Sequence, residues 1–313
     1  MAKIGSSDLD VFGLNLGGNV FGWTADQDQS FAVLDAYTAA GGNFIDTADV
    51  YQGFNPDKPG DGSEAILGNW LAKRGRRDDI IIATKVGSLA SRPGLSAKNI
   101  AAAADESLKR LRTDHIDLYY AHRDHDDTPL EETLGAFDAL VKAGKVRYIA
   151  ASNYTAARLA EALSISDREG FAKYVALQPH YNLLEREYED ELAPLIEREG
   201  LSTLPYFGLA KGFLAGKYRS KDAATTSPRA ARAITYLDER GERVLAALDE
   251  IASAHGVAVS AVALAWLAAQ PTVAAPIASA RTLEQLAEIL PFVDLKLTED
   301  ELGSLNDSSL TSQ

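Results

Sequence analysis

Short apolar runs alternate with longer amphipathic stretches along the 313 residues of the chain. The short runs cover 14–17, 43–46, 80–85, 116–122, 146–152, 175–178, 203–206 and 273–277. They are rich in β-branched and aromatic residues and nearly continuous in their apolar positions, which predicts strands buried on both faces of a parallel sheet. Helical spacing follows over 28–40, 63–73, 96–111, 129–143, 155–163 and 188–199, and again over 236–255, 260–270 and 297–305. Boundary residues agree with this reading. Ser96 and Pro129 suit helix starts, Gly75, Gly144 and Gly200 stand where helices should stop, and Thr298-Glu299-Asp300-Glu301 has the pattern of a capping box. Strands with helical crossovers favour an α/β fold, a single (β/α)8 TIM barrel over 1–313, and no Gly-x-Gly-x-x-Gly follows the first strand as an open dinucleotide-binding sheet would have it. Lys3-Ile4 and Asp10-Val11 are expected to form an N-terminal β-hairpin that plugs one barrel end, and the last helices are extra to the repeating units. Residues 217–233, carrying Arg219, Arg229 and Arg232, read as a mobile loop.

Composition narrows the function classes. Hydrophobic residues at 46% and charged residues at 24% leave enough apolar material for a large core and argue against disorder. A formal charge of −14 repels polyanions, so neither nucleic acid nor an anionic membrane is an expected partner. Cysteine is absent, which excludes disulfides, thiolate metal sites and cysteine nucleophiles. The start of the chain lacks a signal-peptide apolar core and no run reaches membrane-spanning length, so the cytoplasm is the expected compartment.

Side chains at the C-terminal ends of barrel strands converge on one mouth. Asp46 ends the second predicted strand and Tyr51 lies in its loop; Lys85 ends the third and His122 the fourth. These four make a chemical set for reducing a carbonyl by hydride, which needs a proton delivered to the new alkoxide. A phenol can give it if a neighbouring ammonium favours tyrosinate, an aspartate can hold that ammonium charged, and a histidine can hydrogen-bond the substrate oxygen. His125, three residues after His122, raises the alternative of a metal pair, but no third ligand is evident and no metal is expected.

Asp46-Thr47-Ala48-Asp49-Val50-Tyr51 followed by Ser63-Glu64, Ala83-Thr84-Lys85-Val86-Gly87, and Ala121-His122-Arg123 together resemble the signature segments of the aldo-keto reductase family, in order and over nearly the whole chain. The resemblance implies an NADPH-dependent oxidoreductase that interconverts an aldehyde or ketone and its alcohol, with Tyr51 as the acid, Lys85 and Asp46 as its tuning pair and His122 orienting the substrate. It implies that Ser152, Asn153 and Gln178 hold the nicotinamide carboxamide and that Tyr206 stacks on the ring. The backbone of Phe207, Gly208, Leu209 and Ala210 would wrap the pyrophosphate, with Lys217 near the phosphates, although the family's usual Ser-Pro is Phe207-Gly208 here. Ser279, Arg281 and Gln285 match the segment that reads the adenosine end, Arg281 arguing for NADP over NAD. Gly18 and Asn19 lie where the family's chain approaches the cofactor closely. Phe21, Trp23 and His180, with Tyr51, His122, the 52–62 loop and the 217–233 segment, are expected to shape a pocket for a partly hydrophobic small-molecule carbonyl. The alternative within the family is a cofactor-binding regulatory subunit like the potassium-channel β subunits, with negligible turnover; the presence of His122, which that group has lost, argues against it.

Overall fold

The computed structural model describes residues 1–53, 62–220 and 228–310. β1 (Ala2–Lys3) pairs antiparallel with β2 (Asp10–Val11), Ala2 opposite Val11. Ile4, Leu9 and Val11 from this hairpin pack on Phe44, Ile81, Leu118, Val175 and Leu204, so it closes the N-terminal end of the barrel as expected. The intervening turn lies so close that a Cβ on Gly5, whose φ is +48°, would sit 2.3 Å from the Val175 carbonyl oxygen.

Alternating units follow: β3 (Asn15–Gly17), α1 (Gln27–Ala39), β4 (Phe44–Asp46), α2 (Ser63–Arg74), β5 (Ile81–Val86), α3 (Ala97–Leu111), β6 (Ile116–Ala121), α4 (Leu130–Lys142), β7 (Val146–Ser152), α5 (Ala156–Glu169), β8 (Tyr174–Gln178), α6 (Leu192–Arg198) and β9 (Ser202–Thr203). α7 (Pro228–Ala233), α8 (Glu239–His255) and α9 (Val259–Ala268) precede β10 (Ile277–Ala278), and α10 (Leu283–Ile289) and α11 (Glu299–Ser309) end the described chain. The eight-stranded sheet runs β10-β3-β4-β5-β6-β7-β8-β9, parallel throughout. Its edges meet through Thr203 N donating to Thr272 O at 2.8 Å, Ala274 N to Thr203 O at 3.0 Å and Ile277 N to Pro205 O at 2.9 Å, which closes the (β/α)8 barrel.

Departures from the sequence reading have local causes. Regular pairing of β10 is confined to Ile277–Ala278 rather than 273–277, because Pro276 has no N–H to give a ladder. The 188–199 stretch divides into a 3-10 turn over Glu187–Glu189 and the helix α6, with Pro194 in the helix's first turn, where a missing N–H costs nothing. The expected loop 217–233 is corrected in part: Pro228–Ala233 is helical, a run of good helix formers opened by a proline that suits the first helical position. Residues 221–227 lie outside the described residues, as do 54–61 of the loop after Tyr51. No single described helix is long and apolar enough to cross a membrane.

Strand alternation positions the site. Phe44, Ile81, Ala83, Leu118, Tyr120, Ala150 and Ala176 fill the barrel interior, while Ile45, Ile82 and Tyr119 pack in the layer beneath the helices. Two residues beyond the last interior apolar position of each strand, the same inward face presents Asp46, Lys85, His122, Ser152 and Gln178. α2 is fixed beside them. Thr47 Oγ1 donates to Ser63 Oγ at 2.7 Å, Thr84 Oγ1 to Glu64 Oε1 at 2.6 Å, and Arg110 of α3 pairs with Glu64 Oε2 at 2.7 Å. Gly68 lets the two helices meet, since a Cβ there would lie 2.0 Å from Arg110 O. Gly68→Ala should therefore destabilise the protein by about 2 kcal/mol despite the ~1 kcal/mol that alanine offers a helix interior. Urea unfolding checks this, and a gain in stability would show that α2 and α3 are not closely packed.

Candidate active site

Lys85 is wholly buried at the end of β5. Its Nζ donates to Asp46 Oδ1 at 2.5 Å, to Thr47 O at 2.8 Å and to Tyr51 Oη at 3.4 Å, one acceptor for each proton of the ammonium. Asp46 Oδ2 in turn accepts from Gln178 Nε2 at 2.9 Å. Burial favours the neutral amine, but Asp46 and then Tyr51 outweigh it, and the Lys85 pKa stands above its ordinary value.

Tyr51 rides on a 3-10 turn over Asp49–Gly53, started by Tyr51 N donating to Ala48 O at 3.1 Å. Its ring lies 5.1 Å from Lys85 Nζ and 6.3 Å from the His122 ring, edge to face. Burial raises the phenol's pKa most strongly, Lys85 lowers it, and Asp46 and Asp49 raise it. The lysine acts in the direction expected from sequence, and desolvation outweighs it. His122 is pushed down to about 3, by burial first and then by Lys85 and Arg123, so it is a neutral imidazole with one N–H to offer. Its Nδ1 is buried with no hydrogen-bond partner among the described residues. His125 Nε2, by contrast, contacts Gly87 O at 3.0 Å.

Around this centre the structure links the residues expected to hold a cofactor. Asn153, at φ +57°, donates through Nδ2 to Ser152 Oγ at 3.0 Å and to His122 O at 2.9 Å, and accepts from Tyr206 Oη at 2.7 Å. Ser152 Oγ donates to Gln178 O at 2.9 Å. Gln178 thus orients Asp46 as well as the rim. The Tyr206 ring stacks on His180 with centroids 5.3 Å apart and planes 10° apart. Phe207, Ala210, Lys211, Gly212 and Gly216 all have positive φ, and the loop is closed on itself by Ala210 N donating to Phe207 O at 2.7 Å and Gly212 N to Leu209 O at 2.8 Å. Lys217 Nζ pairs with Glu288 Oε2 at 3.2 Å. Opposite, Ser279 Oγ donates to Asn19 Oδ1 at 2.7 Å, and a Cβ on Gly18 would lie 2.9 Å from Asp46 O, so this turn needs glycine to lie against β4. Arg281 N donates to Gln285 Oε1 at 3.0 Å, which gives Gln285 a role in shaping its own segment.

Trp23 and Phe207 are 42% and 44% exposed on loops at the C-terminal ends of strands, with His180 beside Phe207. Phe21 is corrected: it is 0% exposed, packed beside Gly18 in the core, and offers no surface to a substrate. Sequence reasoning missed Asp49. This carboxyl is 1% exposed, and among the described residues neither oxygen has a side-chain hydrogen-bond or ion-pair partner. The signal was the second aspartate in Asp46-Thr47-Ala48-Asp49-Val50-Tyr51.

The sequence profile of the aldo/keto reductase family matches residues 13–309. The chain is 35% identical to Protein tas of Escherichia coli, over 97% of this chain and 95% of the relative. It is 36% identical to the uncharacterized oxidoreductase YrpG of Bacillus subtilis, over 97% and 94%. Norsolorinic acid reductase stcV of Emericella nidulans is 31% identical, over 98% and 79%.

Burial above all, and then Glu64, push the Asp49 carboxyl up to about 7 against the pull of Arg110, the Val50 amide and Arg92. The folded protein then keeps a proton that the unfolded chain releases near pH ~4, so stability falls as pH rises between those values. The stability of Asp49→Asn relative to wild type should rise by about 2 kcal/mol from about pH 5.5 to about pH 8.5. Denaturant unfolding at both pH values measures this, and a pH-independent difference would place the carboxylate charge elsewhere.

Proposed function

This chain belongs to the aldo/keto reductase family and is an oxidoreductase, and we propose that it reversibly transfers a hydride from NADPH to an aldehyde or ketone with Tyr51 as general acid. The observation that carries the reading is the Lys85 ammonium, shared between Asp46 and Tyr51 in a dry barrel wall. NADPH, when bound, supplies the hydride. The protein's own part is to place the carbonyl oxygen between Tyr51 and His122 and to deliver the proton. As negative charge grows on that oxygen, Tyr51 gives up its proton and the tyrosinate left behind is held by Lys85, itself kept charged by Asp46. His122 remains neutral and donates one hydrogen bond, fixing direction without competing for the proton. In alcohol oxidation the same groups run backwards, Tyr51 receiving the proton.

Ser152, Asn153 and Gln178 are the groups for the carboxamide, Tyr206 for the ring face, and the main chain of Phe207, Gly208, Leu209 and Ala210 with Lys217 for the phosphates. Main-chain capture does not depend on the side chains that replace the family's usual Ser-Pro. The Arg281 side chain enters no ion pair among the described residues, which suits it to a 2′-phosphate and supports NADPH over NADH. Exposed Trp23 and Phe207 with His180 favour a partly hydrophobic carbonyl, such as an aromatic aldehyde or cyclic ketone. The proposed setting is the cytoplasm, and at a net charge of −14 small molecules suit the chain as partners better than nucleic acid or anionic lipid.

Wild-type protein should consume NADPH with a panel of such carbonyls. Tyr51→Phe should lower the rate by about 10²–10⁴-fold while NADPH still binds. Absorbance of NADPH and fluorescence titration read the two quantities. Tight cofactor binding with no turnover on any carbonyl would instead favour a regulatory subunit. Arg281→Ala should reduce the preference for NADPH over NADH by about tenfold, and an unchanged preference would remove Arg281 from cofactor choice.

A further inference from the structure

Asp49 opens the 3-10 turn that carries Tyr51. The charged groups around the two residues can be enumerated by element. Among the described residues, Asp46 and Tyr51 belong to their own segment, Glu64 comes from α2, Lys85 from β5, Arg92 from the β5–α3 connection, Glu106 and Arg110 from α3, Tyr119 from β6, the neutral His122 from just after β6, and Tyr206 from the loop after β9. Every cation among them is already engaged by another group. Lys85 spends its three protons on Asp46, Thr47 and Tyr51. Arg92 forms a two-pronged pair with Glu106 at 2.8 Å on each arm. Arg110 holds Glu64 at 2.7 Å and reaches Glu106 at 3.5 Å. Among the described residues, Asp46, Asp49, Glu64 and Glu106 thus face Lys85, Arg92 and Arg110, one carboxyl more than there are cations, and Asp49 is the carboxyl left without an ion-pair partner. The Tyr119 hydroxyl behind it is equally buried and equally unpartnered, so among the described residues no side-chain donor is committed to an Asp49 anion, and only the Val50 amide favours that anion by a hydrogen bond.

We propose that Asp49 is a positioning residue that governs Tyr51 through its own protonation: neutral, it leaves the phenol free to release its proton, and ionised, it adds a second negative charge beside Asp46 and holds that proton on the phenol oxygen. The inference rests on the reading of Tyr51 as the proton donor, and it deepens that reading by giving the site a second titrating group that touches neither substrate nor cofactor. No bond other than O–H is involved. The proton leaving Asp49 goes to solvent, and the one retained stays on Tyr51 Oη. Lys85 can offset the charge of Asp46 or that of a tyrosinate, but its hydrogen bonds are used, and among the described residues no further cation pairs with a group of the turn.

The test needs no carbonyl and no cofactor, so its failure is separate from a failure of the reductase reading. Tyr51 ionisation is followed by tyrosinate absorbance, as the difference between each protein and the same protein carrying Tyr51→Phe. Asp49→Asn and Asp49→Ala should both lower the Tyr51 midpoint by about one pH unit relative to wild type. A purely structural role leaves the midpoint unchanged or moves it in opposite directions in the two variants, and either result overturns the proposal. Infrared spectra of the wild-type protein supply the second arm, which depends on no variant's folding for its main result. A protonated carboxyl band should be present on the acid side of neutrality and disappear on the alkaline side. Absence of any such titrating band overturns the proposal whatever the tyrosine does, and loss of the band in Asp49→Asn assigns it.

Discussion

A lysine sealed inside a barrel wall is the constraint on which the rest of this structure depends. Removing an ammonium from water costs several kcal/mol unless its charge and all its protons are answered. Here Asp46 answers the charge, and Asp46, Thr47 and Tyr51 answer the protons. Gln178 from across the barrel holds the second oxygen of Asp46, so β4, β5 and β8 are tied at their C-terminal ends by one polar cluster. The arrangement works only if those ends keep register, which the apolar barrel interior and the hairpin beneath it secure. Stability is invested in holding a cation beside the Tyr51 phenol.

Two kinds of electrostatic environment meet at Tyr51. Towards the mouth, the groups are neutral donors and acceptors: His122 with its depressed pKa, Asn153 bridging Ser152 and Tyr206, and the exposed aromatic rings of Trp23 and Phe207. Towards the helices, carboxylates and guanidiniums interlock between α2 and α3. In the proposed reaction the mouth sets what can bind and in which direction, and the layer behind sets how readily the phenol parts with its proton. Asp49 stands on the boundary because its backbone belongs to the turn of Tyr51 while its carboxyl faces Glu64 and Arg110.

The barrel was legible because each strand is a short apolar burst and each helix has its own period, and because period-two alternation lets a residue at a strand end inherit the inward face. Asp46, Lys85, His122, Ser152 and Gln178 follow from that rule. What escaped was governed by distance rather than pattern. Phe21 has the composition of a pocket residue, yet the glycine turn draws it into the core. Gln178 sits where an amide could face a ligand, and its Nε2 faces Asp46. Asp49 is an ordinary acidic residue in a motif until the partners of every neighbouring cation are known. Pro276 shows the reverse case, where a residue's missing N–H shortened an element in a way that reading proline more strictly would have anticipated.

The central claim is that the buried Lys85 makes proton delivery from Tyr51 possible while hydride arrives from the cofactor. Single-turnover transfer of deuterium from NADPH labelled at the transferring position of nicotinamide C4 to an aldehyde tests it directly, in wild type and in Lys85→Met. The account predicts one deuterium on the carbinol carbon in the wild type and a rate at least about 100-fold lower in Lys85→Met with the cofactor still bound. Equal rates in the two proteins, or a carbinol hydrogen drawn from solvent, would contradict it.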